Sequence, residues 1–209
     1  MEREKKHMEM ATFERAMEWV RHFVRAGTQG ELSLTGIGET FLHPEYETLF
    51  RLAREAIGPD RMLTVSTNGL LLDDAVCAAI RPYRPAVYIS PHRPERAGPA
   101  IEAARRAGIL KGVNNGASLA AFDWAGQVKY FVSATPRPCA FLLSGWGVVL
   151  STGAMTTCCM DGDESGVVGT IWDEPGSLGL QPYKLCGPCH EIVPTPDQVP
   201  GMREVVNVI

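Results

Sequence analysis

No apolar run in the 209-residue chain approaches the roughly 20 residues that a membrane-spanning helix needs. The opening MEREKKHMEM is charged and lacks the apolar stretch of a secretory leader. A soluble, cytoplasmic protein is therefore expected. Strong charge of either sign is missing too: 20 Lys and Arg stand against 24 Asp and Glu, for a net charge of −4. That excludes the basic surface by which nucleic acid or an anionic membrane is held, and neither is expected as a partner. There are no internal repeats and no low-complexity tracts, so the length is available for one sizeable core, or for a core plus a small appendage.

What the chain does have is an alternation of helical and strand-like segments. Phe13, Met17, Val20 and Val24 recur at helical spacing between Thr12 and Gly27, and Glu31 to Thr35 reads as a strand. Pro44 suits the first turn of a helix carrying Tyr46, Leu49, Ala53 and Ile57, stopped by Gly58-Pro59. RMLTVSTNG is a second strand and turn, and Asp73 can cap a short helix through Ile80. AVYIS is a third strand, and AIEAARRAGI a helix that runs into Gly108. Strands alternating with helices imply an α/β protein with parallel pairing through right-handed crossovers. After Gly112 the alternation fades. VKYFVS reads as a last core strand, and GWGVVLSTGAMTTCC as a hairpin turning at Ser151-Thr152-Gly153. Residues 1–134 are thus the core, and 135–209 a small cysteine-rich hairpin extension and tail.

In parallel sheets, ligands bind beyond the carboxyl ends of the strands. Three polar clusters fall there: Gly36-Ile37-Gly38-Glu39, Ser66-Thr67-Asn68-Gly69 and Ser90-Pro91-His92-Arg93. Each alone is explained as a turn. Three at matching ends of successive strands point to a shared site. The first has neither the lysine of a P-loop nor the third glycine of a dinucleotide fingerprint, and it sets a carboxylate where a phosphate would be repelled. Glu39 is arranged to receive a cation, either an ammonium or a metal.

Of the six cysteines, Cys77 is alone in an apolar helix and reads as a small buried hydrophobe. The others fall between Cys139 and Cys189. In a reducing compartment such a group is ligating or catalytic rather than disulfide-bonded. Cys186 and Cys189 have the spacing of a metal knuckle, without the thioredoxin-like context of a redox dithiol. Cys139 and Cys158 can complete four thiolates. On a strand Cys158 and Cys159 would point to opposite faces, so only one of them joins the same centre; Cys158 is preferred and Cys159 is the alternative. His190 could replace a thiolate but reads as a surface histidine. Four thiolates suit zinc and an iron–sulfur cluster alike.

Taken in order, LTGIGETFLHPE, TVSTNGLLL and AVYISPHRPE resemble the successive strand ends of the radical S-adenosylmethionine (radical SAM) enzymes. The segment from PCAFLL to YKLCGPCHE is similar to that family's SPASM or twitch extension, which binds auxiliary [4Fe–4S] clusters. The likeness runs from Thr12 to Ile192 and implies a partial parallel (β/α) barrel of the radical SAM type. It implies that Gly36, Gly38 and Glu39 are the Gly-Gly-Glu motif that holds the methionine ammonium of SAM. Ser66 and Asn68 would approach the ribose or the methionine end, and Ser90 and Arg93 the ribose and carboxylate. Cys139, Cys158, Cys186 and Cys189 would carry one auxiliary [4Fe–4S] cluster.

The family's C-x-x-x-C-x-x-C loop, which binds the catalytic cluster, is absent from these residues. The resemblance therefore implies a radical SAM oxidoreductase represented without its cluster-binding amino-terminal segment, and the chain as given is not expected to cleave SAM. In the full enzyme a reduced cluster would split SAM to a 5′-deoxyadenosyl radical that takes a hydrogen from a peptide or small-molecule substrate. A reductant protein would be its partner. The competing reading is a non-catalytic zinc- or iron–sulfur-binding module, serving as scaffold or electron-transfer partner.

Overall fold

The computed structural model describes residues 6–36, 38–91, 93–114, 138–161, 163–187, 189 and 193–208. The strand expected over VKYFVS lies outside them, as do Ile37, His92, Pro188 and His190.

Helix α1 (Met10–Arg25) buries Phe13, Met17 and Val20 on one face. It begins ahead of Thr12, because the Phe13 N–H already bonds the Glu9 carbonyl at 3.0 Å. Gly27 ends it at φ +94°, which lets the Thr28 N–H return to the Phe23 carbonyl. Strand β1 (Leu32–Ser33) follows, then α2 (Tyr46–Ile57), β2 (Leu63–Thr67), α3 (Asp74–Ile80), β3 (Ala86–Ile89), α4 (Gly98–Arg106) and β4 (Leu110–Val113). Asp73 caps α3 as expected, its Oδ1 accepting the Val76 N–H at 2.8 Å. Cys77 is 1 % exposed on that helix. Burial, aided by the charges of Asp74 and Asp73, pushes its thiol up to about 11, so it is an inert core residue.

The second half supplies α5 (Ala140–Ser144), β5 (Trp146–Val149), β6 (Ala154–Thr156), β7 (Val167–Thr170) and β8 (Glu204–Val208). All eight described strands join one sheet, in the order β4-β3-β2-β1-β8-β5-β6-β7. From β4 to β5 every neighbouring pair is parallel; β6 and β7 continue antiparallel. The α/β class and the parallel pairing of β1 to β4 agree with the sequence. The place of β8 does not follow from it. Residues read as a tail fill the slot between β1 and β5, pairing Asn207 with Ser33 and Glu204 with Trp146. Helix α1 packs over β8. It is tied to the far edge through Trp19, fully buried, whose Nε1 donates to the Ile171 carbonyl at 2.8 Å.

Glu204 opens β8 half-buried, beside a hollow lined by Phe23, Val24, Ile57 and Arg61. Burial first, then the charge of Glu31, raises its carboxyl to about 7, while Arg61 and the Gly30 amide pull the other way. The native carboxyl thus holds its proton more tightly than an unfolded one titrating near 4.5. Stability is full below that value, falls as pH rises towards about 7, and is level above it. Because much of the side chain stays in solvent, the loss is discounted to about 1–2 kcal/mol. Glu204→Gln should stabilise the protein by that amount in urea melts at pH 8 and leave it unchanged at pH 4. An equal gain at both pH values would rule out a titration effect.

Candidate functional site

The carboxyl ends of β1 to β4 share one rim of the sheet, since these strands are neighbours and parallel. Hydrogen bonds lace these ends together. Thr35 Oγ1, just past β1, accepts the Ser66 N–H at 2.7 Å. Glu39 Oε2 accepts the Asn68 N–H at 3.0 Å. The Ser90 N–H bonds the Thr67 carbonyl at 2.8 Å, and Asn114 Nδ2 donates to Ser90 Oγ at 2.8 Å. Glu39, Ser66, Asn68 and Ser90 are therefore brought to one rim. Arg93 is exposed on the loop after β3.

Glu39 is unusual among them. One carboxylate oxygen is fixed by the Asn68 amide, while Oε1 is buried with no hydrogen-bond partner among the described residues. An unpaired buried acceptor of this kind is costly, and a cation or donor arriving from outside would satisfy it. Gly38, next to it, does not use the left-handed backbone region, and a Cβ there would meet nothing within 4 Å. The fold does not demand glycine at 38. What glycine leaves is open space beside the carboxylate. Gly36 directly follows Thr35, ahead of Gly38 in the chain.

Two members of this rim were not legible as site residues. Asn114 stands past the end of β4, where its own N–H bonds the Ile89 carbonyl at 2.8 Å. The strand-end rule that found Ser66 and Ser90 would have found it, had β4 been read as a strand. Thr35 was taken for the last residue of its strand and instead receives the Ser66 amide.

The cysteines lie on the other half of the sheet. Cys139 immediately precedes α5, Cys158 and Cys159 follow β6, Cys186 ends a short 3-10 helix (Lys184–Cys186), and Cys189 comes just after it. The opposite-face argument for the adjacent pair fails, because β6 stops at Thr156. Both thiols sit in the following loop and touch: a hydrogen bond from Cys159 is the main cause holding Cys158 down at about 6, against burial. Cys159 is correspondingly pushed up. Backbone amides also point at sulfur, Met160 N–H to Cys158 Sγ at 3.4 Å and Tyr183 N–H to Cys186 Sγ at 3.5 Å. Burial raises Cys186, and the charges of Cys139 and Cys158 add to it. Among the described residues, no three His, Cys, Asp or Glu side chains are arranged to grip a single metal ion.

The loop carrying Cys158 and Cys159 is organised by Asp161, which is fully buried. Its Oδ1 accepts the N–H and hydroxyl of Ser165, both at 2.9 Å; its Oδ2 accepts the Gly166 N–H at 2.8 Å and the Thr156 hydroxyl at 2.9 Å. With all its acceptor directions filled, Asp161 is structural.

No protein-family model and no curated protein matches the chain. Solved structures do. BtrN in complex with AdoMet and 2-DOIA matches with a TM-score of 0.68 and 17% sequence identity, covering 83% of this chain and 69% of that one. Selenomethionine BtrN in an open conformation gives 0.56 and 18%, over 80% and 65% of the two chains. The structure of anSMEcpe with bound AdoMet gives 0.53 and 14%, over 80% and 70%. Identity at this level shows the fold. Among the described residues no helix is long and apolar enough to cross a membrane. The chain has the α/β fold of the radical SAM enzymes BtrN and anSMEcpe.

Proposed function

We propose that this chain is the SAM-binding and auxiliary-cluster part of a radical SAM oxidoreductase that modifies a peptide or a small molecule. The observation that carries the proposal is the buried, unpartnered Glu39 Oε1 at the rim of the parallel strands. An ammonium supplies both the missing donor and the opposite charge. Asn68 fixes the second oxygen, so the carboxylate is aimed before any ligand arrives. Open space at Gly38 admits the ligand to the carboxylate. Along the same rim, the Ser90 hydroxyl and the Asn114 amide offer hydrogen bonds of the kind a ribose diol takes. Arg93, exposed nearby in sequence, is the group for the ligand's carboxylate. An amino acid joined to a nucleoside matches this order of groups, and SAM is such a molecule. Bound and reduced, SAM would supply the radical chemistry that takes hydrogen from substrate. The residues here bind and orient it; none is assigned a proton transfer.

Cys139, Cys158, Cys186 and Cys189 would hold the auxiliary cluster, with Cys159 as a donor to Cys158 rather than a ligand. Support comes from the soft donor set, the mutual influence of the sulfurs and the N–H···S bonds. Bound there, a [4Fe–4S] cluster supplies an electron acceptor. Reduced thiols in this number suit a cytoplasmic setting and a reductant protein as partner. Anaerobic reconstitution with iron and sulfide tests the centre: uptake in the ratio of one [4Fe–4S] cluster is expected. Stoichiometric zinc with no iron uptake would favour the scaffold reading instead.

A further inference from the structure

Strand β1 stops after Ser33, and threonine hydroxyls end it. Leu34, just past its end, still donates its N–H to the Thr64 carbonyl at 2.9 Å. In this parallel register the next rung would run from the Ser66 N–H to the Leu34 carbonyl. That rung is replaced on both sides. The Ser66 N–H goes to Thr35 Oγ1 at 2.7 Å, and the Leu34 carbonyl accepts the Thr40 hydroxyl at 2.5 Å. Leu34 is buried, so its carbonyl needs such a donor.

The Thr40 bond ties the chain back to the end of β1, and Glu39 is the residue next to the tie. Beyond it a 3-10 turn (Thr40–Leu42) buries Phe41, whose ring stacks on Phe50 with centroids 5.9 Å apart. Glu39 enters that turn with extended backbone, and its side chain does not cap it. The carboxylate is left to cross to the Asn68 N–H instead. Asn68 is held from its own side, where its Oδ1 accepts the Leu70 N–H at 2.8 Å. The direction of Glu39 is thus set one residue away, by the hydroxyl that pins Thr40 to Leu34.

We propose that Thr40 is a positioning residue for Glu39: its hydroxyl, on the Leu34 carbonyl, holds the carboxylate against Asn68 and leaves Oε1 for the ligand. This rests on the reading of Glu39 as the ammonium site. Without the hydroxyl, the Leu34 carbonyl takes back its ladder partner, the Ser66 N–H. One more rung then forms on β1, and the chain carrying Glu39 is drawn away from Asn68. Thr40 itself touches no ligand. Its loss acts through Glu39, so it weakens only a ligand that carries an ammonium.

The deciding experiment is calorimetric titration of the wild type, Thr40→Val and Thr40→Ser with two ligands, SAM and methylthioadenosine, which lacks the ammonium. Thr40→Val should bind SAM about tenfold more weakly than the wild type does, and methylthioadenosine equally well. Thr40→Ser keeps the hydroxyl and should restore SAM binding. Amide hydrogen exchange at Asn68 should be faster in the ligand-free valine variant, because that N–H has lost its acceptor. Thr40→Ala serves if valine prevents folding. Unchanged SAM affinity in the folded variant overturns the role of Thr40 and leaves Glu39 standing. Equal loss of both ligands also overturns it, as a general structural defect. A wild type that binds SAM no better than methylthioadenosine overturns the ammonium reading, and this proposal with it.

Discussion

Replacing Glu39 with glutamine is expected to weaken SAM binding about ten- to a hundredfold, the worth of a hydrogen bond to a charged group. The expected loss follows from the division of labour between the two oxygens. A glutamine carbonyl can still accept the Asn68 N–H, which preserves the turn, but its NH2 then occupies the place of the unpartnered Oε1. There it meets an ammonium as donor against donor. In the free protein the same change exchanges an unpaired buried carboxylate oxygen for an unpaired neutral amide, so the melting temperature should change little. Isothermal titration calorimetry paired with thermal melts separates the outcomes. Unchanged affinity would remove Glu39 from the site. Affinity lost together with the fold would make it structural.

Asp161→Ala should produce the largest loss of stability, about 3–5 kcal/mol. The substitution strips partners at once from the buried Gly166 amide and the half-buried Ser165 amide, and from the hydroxyls of Thr156 and Ser165. Spread over a chain of this size, that is a melting temperature lower by roughly 10 °C. Asp161→Asn retains one acceptor oxygen and should lie between the two. The loop it holds also carries Cys158 and Cys159, and the Asp161 N–H bonds the Cys158 carbonyl at 3.1 Å. Alanine should therefore loosen the cysteine centre as well, read as faster alkylation of these thiols. A variant as stable as the wild type would show that the loop is held some other way.

The elements legible in the sequence were those set by local rules. Apolar spacing and Gly27 mark α1, Asp73 marks the start of α3, and the strand ends mark Glu39, Asn68 and Ser90. What escaped depends on distant partners. EVVNV has the apolar character of a strand, but nothing local says that Asn207 pairs with Ser33, from the other end of the chain. The adjacent cysteines were placed on a strand because the hairpin reads as continuous. The strand stops at Thr156, where Asp161 draws the Thr156 hydroxyl and the Ser165 and Gly166 amides to itself. Gly38 was legible as a strand-end glycine of the candidate rim, where it provides room rather than an unusual backbone angle.

The most direct test of the central claim is a titration of the 15N-labelled protein with SAM, followed by amide chemical shifts. The Asn68 amide reports on Glu39 because it donates to that carboxylate, and the Ser90 and Asn114 amides report on the ribose side of the rim. Saturable shifts at Gly38, Asn68, Ser90 and Asn114 are predicted with SAM. With methylthioadenosine, which lacks the ammonium, the Asn68 shift should be absent while Ser90 and Asn114 still respond. Shifts confined to other parts of the protein, or an Asn68 response that is the same with both ligands, would contradict the assignment of Glu39 as the ammonium site.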